Sequence, residues 1–287
     1  MSVRYASTSL ASLARGPKSS QPSPWFRRRA ASLTTSYAAT SVSPGATANT
    51  KTSWVQVVAS APAAVGGIRV ISRSAYTLSA TQSAILDIGI GAAGSETVIV
   101  PNVLVGAPAS TSFGGICFDI PIAIPAGSRV AIRAASQRTS YTLSINAILF
   151  AATDPLTTPS SVDTLGISTA TSSGTAMTGA SGTYTQIIAS TARDYQALIV
   201  MPAPSSSSGF PSLSAIVFTC AVGAAGAERD ITQAVATCDG GQGFGNFILP
   251  GERGGGFVPA GSRISVKHNI ASTPGNFAAA VIGVPYV

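Results

Sequence analysis

The feature that most constrains this chain is a long internal repeat. Three motifs return in the same order, each displaced by 130 to 134 residues: WVQVVAS at 54–60 and YTQIIAS at 184–190, GAAGSE at 91–96 and GAAGAE at 223–228, PAGSRV at 125–130 and PAGSRI at 259–264. Small drifts in the displacement are typical of loop insertions. A repeat of this length is a whole domain and not a solenoid unit. The sequence therefore predicts two tandem copies of one domain.

Each copy is predicted to be all-β. Short segments rich in Val, Ile, Thr and aromatic residues alternate with clusters of Gly, Pro, Ser and Asn. In the segment 129–133, Val130 and Ile132 are expected to face the core, and Arg129 and Arg133 the solvent. About seven or eight strands in each copy are typical of a β-sandwich of the jelly-roll type.

Four parts are predicted along the chain. Residues 1–33 form an extended basic arm, 34–150 the first sandwich, 151–180 a Ser/Thr/Pro-rich linker, and 181–287 the second sandwich. Trp54 and Tyr184 hold equivalent strand positions, and both are expected in the cores. The fold prediction is therefore two tandem jelly-roll-like β-sandwich domains preceded by an extended N-terminal arm.

Charge is concentrated in the arm. The chain has a formal net charge of +7, and the arm holds six of its 17 basic residues and none of its 10 acidic ones. Such a segment has too little apolar surface to fold alone. We expect it to lie along another protein chain, with the aromatic pair Trp25 and Phe26 in apolar pockets and the basic run near acidic groups or carbonyls: Arg27, Arg28 and Arg29. A solvated tail and an organelle transit peptide are alternatives. Nucleic-acid binding is not expected, because the arm offers few aromatic residues for stacking on bases.

Two pairs of charged residues occupy the same positions in both copies. Glu96 follows the first GAAG loop and Arg129 begins a strand, and Glu228 and Arg263 repeat this arrangement. We predict a salt bridge in each copy that ties the loop to the strand. A ligand site shared by the two copies is the alternative.

Catalytic and metal-binding patterns are missing from the sequence. His268 is the only histidine, and no Gly-x-Ser-x-Gly motif accompanies it. Cys117, Cys220 and Cys238 lack C-x-x-C spacing, and a calcium site would require Asp87, Glu96 and Asp119 to converge. The sequence predicts no enzyme activity, no cofactor and no metal. It also has no apolar run long enough for a membrane span.

The segments DIGIGAAGSE at 87–96 and IAIPAGSR at 122–129 resemble virion proteins of tailed bacteriophages. The resemblance implies a structural role in a particle that is assembled in the host cytoplasm. It also implies other virion proteins as partners of the arm, and a homo-oligomer. A tail fibre or fibre-anchoring appendage is the favoured form, and a capsid decoration protein is the alternative.

A second alternative is a carbohydrate-binding module directed at a host surface glycan. Such a module requires exposed aromatic side chains, and the candidates are Tyr76, Tyr141 and Tyr195.

Overall fold

The computed structural model shows nineteen β-strands and no helix among the residues that it describes, which are 34–36, 39–74, 82–107, 116–139, 142–152, 158–177, 179–204, 214–239, 243–245, 257–269 and 277–287. Strands of the first half are β1 Thr34–Ser36, β2 Thr40–Val42, β3 Val55–Val58, β4 Val65–Ser74, β5 Gln82–Ile90, β6 Thr97–Ala107, β7 Ile116–Ile120, β8 Val130–Ser136 and β9 Leu143–Ala151. Strands of the second half are β10 Asp163–Leu165, β11 Ile167–Ser168, β12 Ser173–Met177, β13 Thr185–Ile188, β14 Tyr195–Pro204, β15 Ser214–Val222, β16 Arg229–Asp239, β17 Gly243–Gly245, β18 Ile264–His268 and β19 Phe277–Pro285.

Each half is a sandwich of two antiparallel sheets. In the first half, sheet A has the order β1-β9-β4-β7 with β2 also on β9, and sheet B has the order β3-β8-β5-β6. In the second half, sheet C has the order β10-β19-β12-β11 with β14 also on β19, and sheet D has the order β13-β18-β15-β16-β17. Apolar side chains from the two sheets of each half fill the space between them.

The two halves share their pairing register and not only their strand order. Val55 pairs with Ile132 in sheet B, and the equivalent Thr185 pairs with Val266 in sheet D. A β-bulge interrupts both ladders at the same point, just after Gln56 in the first half and just after Gln186 in the second. The prediction of an all-β chain with two tandem sandwiches is confirmed.

One part of the predicted domain organisation needs correction. The segment 151–180 is not a linker throughout, because β10 and β12 both pair with β19 and so complete sheet C. β12 consists largely of Ser, Gly and Thr, and β10 is only three residues long. Such short strands lack the apolar alternation that identifies a strand in sequence. The remaining domain boundaries stay a prediction.

The two halves stack face to face. The outer face of sheet B, defined as the side turned away from sheet A, contacts the outer face of sheet C. The Ser83 hydroxyl on β5 donates to the carbonyl of Ser172 at 2.9 Å, and the Leu104 amide on β6 lies 3.4 Å from the Met201 sulfur on β14. Apolar residues of β14 and β19 accordingly join the hydrophobic core of the first half. The chain therefore has four layers of sheet in the order A, B, C, D.

Stacking changes the sequence pattern of equivalent strands. In β9, buried residues alternate with half-buried ones, because among the described residues only sheet B packs against sheet A, on one of its faces. Its equivalent β19 is buried at all nine positions. Val281 of β19 faces the core of the second half, and its neighbour Ile282 joins the core of the first. A strand that is covered on both faces has a continuous apolar run, as β19 does.

Gly283 shows how closely this central strand is packed. A Cβ atom at this position would lie 2.6 Å from the ring of the fully buried Tyr195. Gly283→Ala forces the ring or the strand to move, so we expect it to lower the free energy of unfolding by about 1–3 kcal/mol, the usual cost of overpacking. Urea unfolding of the variant measures the loss. Gly45→Ala is the matched control, because Gly45 does not have a positive φ and a Cβ there would meet its nearest neighbour, the Thr52 side chain, only at 3.4 Å. An equal loss in both variants would contradict the packing explanation.

Candidate functional site

The loop that follows β5, and its counterpart after β15, form the best-defined polar sites in the chain. Both loops begin with a glycine in a backbone conformation that other residues rarely adopt, with φ of 130° at Gly91 and 126° at Gly223. In each loop the glutamate accepts a hydrogen bond from a glycine amide two residues earlier, at 2.9 Å for Glu96 and 2.8 Å for Glu228. The loop thus orients its own carboxylate.

An arginine at the start of the neighbouring strand completes each site. Arg129 donates to Glu96 at 2.6 Å, and Arg263 donates to Glu228 at 2.9 Å. The same guanidinium groups also donate to Gln56 and Gln186, both at 2.9 Å. The structure therefore brings each predicted pair together and adds a glutamine to it. The Nε and Nη1 groups of both arginines and all the carboxylate oxygens of both glutamates have protein partners, which is the arrangement of a structural clamp between a loop and a strand.

These clamps carry a pH dependence. Desolvation alone would raise the pKa of Glu96 and of Glu228, but the hydrogen bonds from Arg129 and Arg263 and from backbone amides hold both below the ordinary value of 4.5. A carboxyl whose pKa is lower in the folded state stabilises the fold above its unfolded pKa and loses that contribution as pH falls through its folded pKa.

We therefore expect Glu96→Gln combined with Glu228→Gln to lower the melting temperature most at neutral pH. The difference from the wild type should shrink once the pH falls below 4.5, where the unfolded wild-type chain begins to take up protons. Differential scanning calorimetry from neutral to acidic pH measures this. If the difference in melting temperature stays constant over the whole pH range, the charge of these two residues contributes nothing to stability.

Trp54 and Tyr184 occupy equivalent positions, but neither is a core residue, so the expectation for both was wrong. The Trp54 ring lies on the outer face of sheet B, where a Cβ on Gly89 would be 2.7 Å from it, and the Arg133 guanidinium stacks 4.6 Å from its centroid. The Lys267 ammonium lies 4.3 Å from the Tyr184 centroid. A cation from the neighbouring strand thus makes a cation–π contact with each ring, which stabilises the ring outside the core. Residue type alone predicts a core position for an aromatic residue in a strand, because the sequence does not show which side chain lies opposite it on the neighbouring strand.

Asp87 is a polar centre whose role the sequence did not indicate. It lies on β5 with its side chain 5% exposed, and it accepts from Lys51 at 2.9 Å and from Arg133 at 2.8 Å. It also accepts from the backbone amide of Asn102 at 2.9 Å. These three donors hold the pKa of Asp87 below its ordinary value, although its desolvation acts in the opposite direction. Asp87 therefore joins β5, β6 and β8 with the loop before β3.

The acidic residues considered for a calcium site do not converge. Asp87 pairs with Lys51 and Arg133, Glu96 with Arg129, and Asp119 with Arg69 at 2.6 Å. Within the described ranges, no group of three His, Cys, Asp or Glu side chains is placed to hold a metal ion. Each of these three carboxylates is instead neutralised by a nearby cation.

His268 lies inside the second sandwich and not at a cleft. It is 2% exposed, and its ring packs against Phe277 and Phe218 with centroid separations of 5.3 Å and 6.5 Å. Cys220 is buried, and desolvation raises the pKa of its thiol to about 12. Both side chains are thus shielded from solvent, and no hydrogen bond joins His268 to an acidic side chain among the described residues.

Of the three tyrosines considered for glycan binding, the structure describes Tyr195 alone. It is fully buried beneath Gly283, and its hydroxyl donates to Asp163 at 2.9 Å. Tyr195 therefore cannot be a surface platform. Tyr76 and Tyr141 lie outside the described residues, as do Trp25, Phe26 and Arg27–Arg29 of the predicted docking arm.

In the described part of the chain, no helix has the length and apolar character needed to cross a membrane.

No family model and no curated protein matches this sequence. Several solved structures are similar to it. N-glycanase F (PNGase F) is 11% identical, over 88% of this chain and 96% of that chain, with a TM-score of 0.36. The STIV MCP is 12% identical over 89% and 95%, with a TM-score of 0.31. A Broad Bean Stain Virus structure is 10% identical over 89% and 88%, with a TM-score of 0.30. Likeness at this level does not assign a function to this chain.

Proposed function

We propose that this chain is a non-enzymatic structural component of a virion of the tailed-bacteriophage kind. In this proposal it is a tail fibre or fibre-anchoring appendage that docks through residues 1–33. The observation that carries the proposal is the contrast between the body and the arm. In the described body, seven basic side chains form ion pairs within the fold, whereas the arm is basic without any acid. The seven are Lys51, Arg69, Arg129, Arg133, Arg193, Arg263 and Lys267.

This contrast favours docking through the arm. A body whose charges neutralise one another has little long-range attraction for a partner. An arm with six basic residues and an adjacent aromatic pair offers both electrostatic attraction and apolar anchors. The polar sites of the body are clamps with satisfied partners, so they support a structural role more than a catalytic one.

Two other functions remain as alternatives. A capsid decoration protein would use the same arm on a different part of the particle. A carbohydrate-binding module would need an exposed aromatic platform, and the burial of Tyr195 removes one of its three candidates.

Arm variants of the full-length chain test the proposal. We expect Trp25→Ala with Phe26→Ala to reduce the copies found in purified particles by about 30-fold or more, since loss of a buried aromatic anchor typically costs about 2 kcal/mol. Ser19→Ala with Ser20→Ala is the control within the same arm. Quantitative mass spectrometry of the particles measures incorporation. Normal incorporation of the aromatic variant would refute docking through the arm.

The nucleic-acid alternative predicts a different result. Replacing Arg27, Arg28 and Arg29 with Ala would then reduce binding to DNA in a steeply salt-dependent manner and leave incorporation unchanged. Labelling the chain in electron micrographs of the particle separates a tail location from a capsid location.

A further inference from the structure

Within one chain, two sheets of different halves pack on each other through their outer faces. The outer face of sheet B, around Ile85 and Leu104, packs on the outer face of sheet C, around Met201 and Ile282. Sheet D is the repeat equivalent of sheet B with β17 added at its edge. Sheet A is the equivalent of sheet C with β7 added at its edge, by the order and register of the strands that the two halves share. The chain therefore carries a second copy of each partner surface, one at each end of its stack of four layers.

The outer face of sheet D retains the apolar centre of its equivalent. Val217 on β15 lies directly opposite Val235 on β16, and both side chains are half-exposed. The equivalent pair in sheet B is Ile85 opposite Leu104, which is fully buried against the second half. The same two positions are thus apolar in both sheets, and the structure shows them fully buried in sheet B and half-buried in sheet D.

The outer face of sheet A retains the apolar residues of its equivalent as well. Ile71 on β4 and Ile148 on β9 are half-exposed, and their counterparts in sheet C are the buried Met201 and Ile282. Phe150 extends this patch, with the Arg69 guanidinium 5.5 Å from its ring centroid.

The ion pairs described on the outer faces of sheets A and D are balanced, as the pair of Arg133 and Asp87 is on the outer face of sheet B. On sheet A, Arg69 replaces the Ile199 of sheet C and pairs with Asp119. On sheet D, Lys267 pairs with Asp230 at 3.3 Å. Each of these two ion pairs is neutral, so neither pair opposes the approach of the two faces. The polarity that Arg69 and Asp119 add to sheet A makes this contact weaker than the contact inside the chain, which favours reversible association.

We propose that the outer face of sheet D in one copy of this chain docks on the outer face of sheet A in a second copy, as sheet B docks on sheet C within the chain. The contact is head to tail, so it leaves one free face at each end and can extend into a ring or a stack. This proposal goes beyond the proposed function, because it involves neither the arm nor the particle.

Sedimentation of the full-length chain over a range of concentrations tests it. We expect the wild-type mass to rise with concentration above the monomer mass of 28.6 kDa. Val217→Asp removes one face and Ile71→Asp the other, so each variant alone should remain a monomer. An equimolar mixture should form a dimer and nothing larger, because it holds one intact pair of faces. Ala189→Asp, at an exposed position after β13, should associate like the wild type.

Other outcomes overturn the proposal. A wild type that stays monomeric, a loss of association in one of the two variants only, or a mixture that does not stop at the dimer would each contradict head-to-tail docking. If both variants still associate, the contact between copies lies in another part of the chain. Thermal unfolding verifies that each variant is folded. If either variant is not folded, Val235→Asp tests the sheet D face and Ile148→Asp tests the sheet A face at neighbouring positions. Failure here leaves the arm experiment unaffected, because incorporation into particles is measured separately.

Discussion

Asp87→Ala should lower the free energy of unfolding by about 3 kcal/mol, the lower end of the usual cost of removing one partner from a buried ion pair. The substitution leaves Lys51 and Arg133 close together without their shared acid, and their side chains are 19% and 32% exposed. It also removes the acceptor of the Asn102 amide. Asn102 has a positive φ of 49°, a conformation that asparagine adopts more readily than most residues do. The variant therefore loses an ion pair and the hydrogen bond that fixes the backbone at Asn102.

Asp230→Ala is the matched control for this prediction. Asp230 also contacts a lysine and belongs to the cation–aromatic cluster of the other sandwich, but its side chain is 48% exposed. An exposed pair contributes about 0–1 kcal/mol. Asp87→Asn should fall between the two aspartate variants, because it keeps an acceptor for Asn102 and loses the charge. Urea unfolding of all three measures the differences, and equal losses at Asp87 and Asp230 would rule out the central role of Asp87.

Ile282→Ala should be about as damaging, with an expected loss of about 3 kcal/mol. Ile282 is fully buried between the two halves, and truncation of a buried isoleucine to alanine typically costs about 2–5 kcal/mol. The repeat supplies its own control in Ile148, the equivalent residue on β9, which is half-exposed. Ile148→Ala should cost less than about 1 kcal/mol, as expected for a partly solvated site.

Denaturant unfolding at low protein concentration, where the chain is a monomer, measures both isoleucine variants. A similar loss at both positions would mean that the stacking of the halves adds nothing to stability. A loss of cooperativity in Ile282→Ala, with two separate transitions, would support the stacking contact in a different way, since it would uncouple the halves.

The repeat made much of the fold predictable. Conserved spacing between the two copies predicted equivalent sandwiches, and alternation in 129–133 correctly placed Val130 and Ile132 inside. Stacking of the halves also has a sequence signal, because the run FAAAVIGVP in β19 is apolar at every position, where β9 alternates. By contrast, the role of Asp87 depends on Lys51 and Arg133, which lie far apart in sequence. Contacts of this kind follow from strand register, and register was not available from composition or periodicity.

Burial of β19 on both faces has a consequence for local opening. An amide proton exchanges with solvent when its hydrogen bond opens, and the free energy of that opening is highest where packing must be undone on all sides. The β19 amides cannot be exposed without separating sheet C from both sheet B and sheet D. Hydrogen exchange there should therefore require unfolding of the whole double sandwich, whereas β9 can open with the first half alone. The slowest-exchanging core of the molecule should thus belong to the second half and depend on the first.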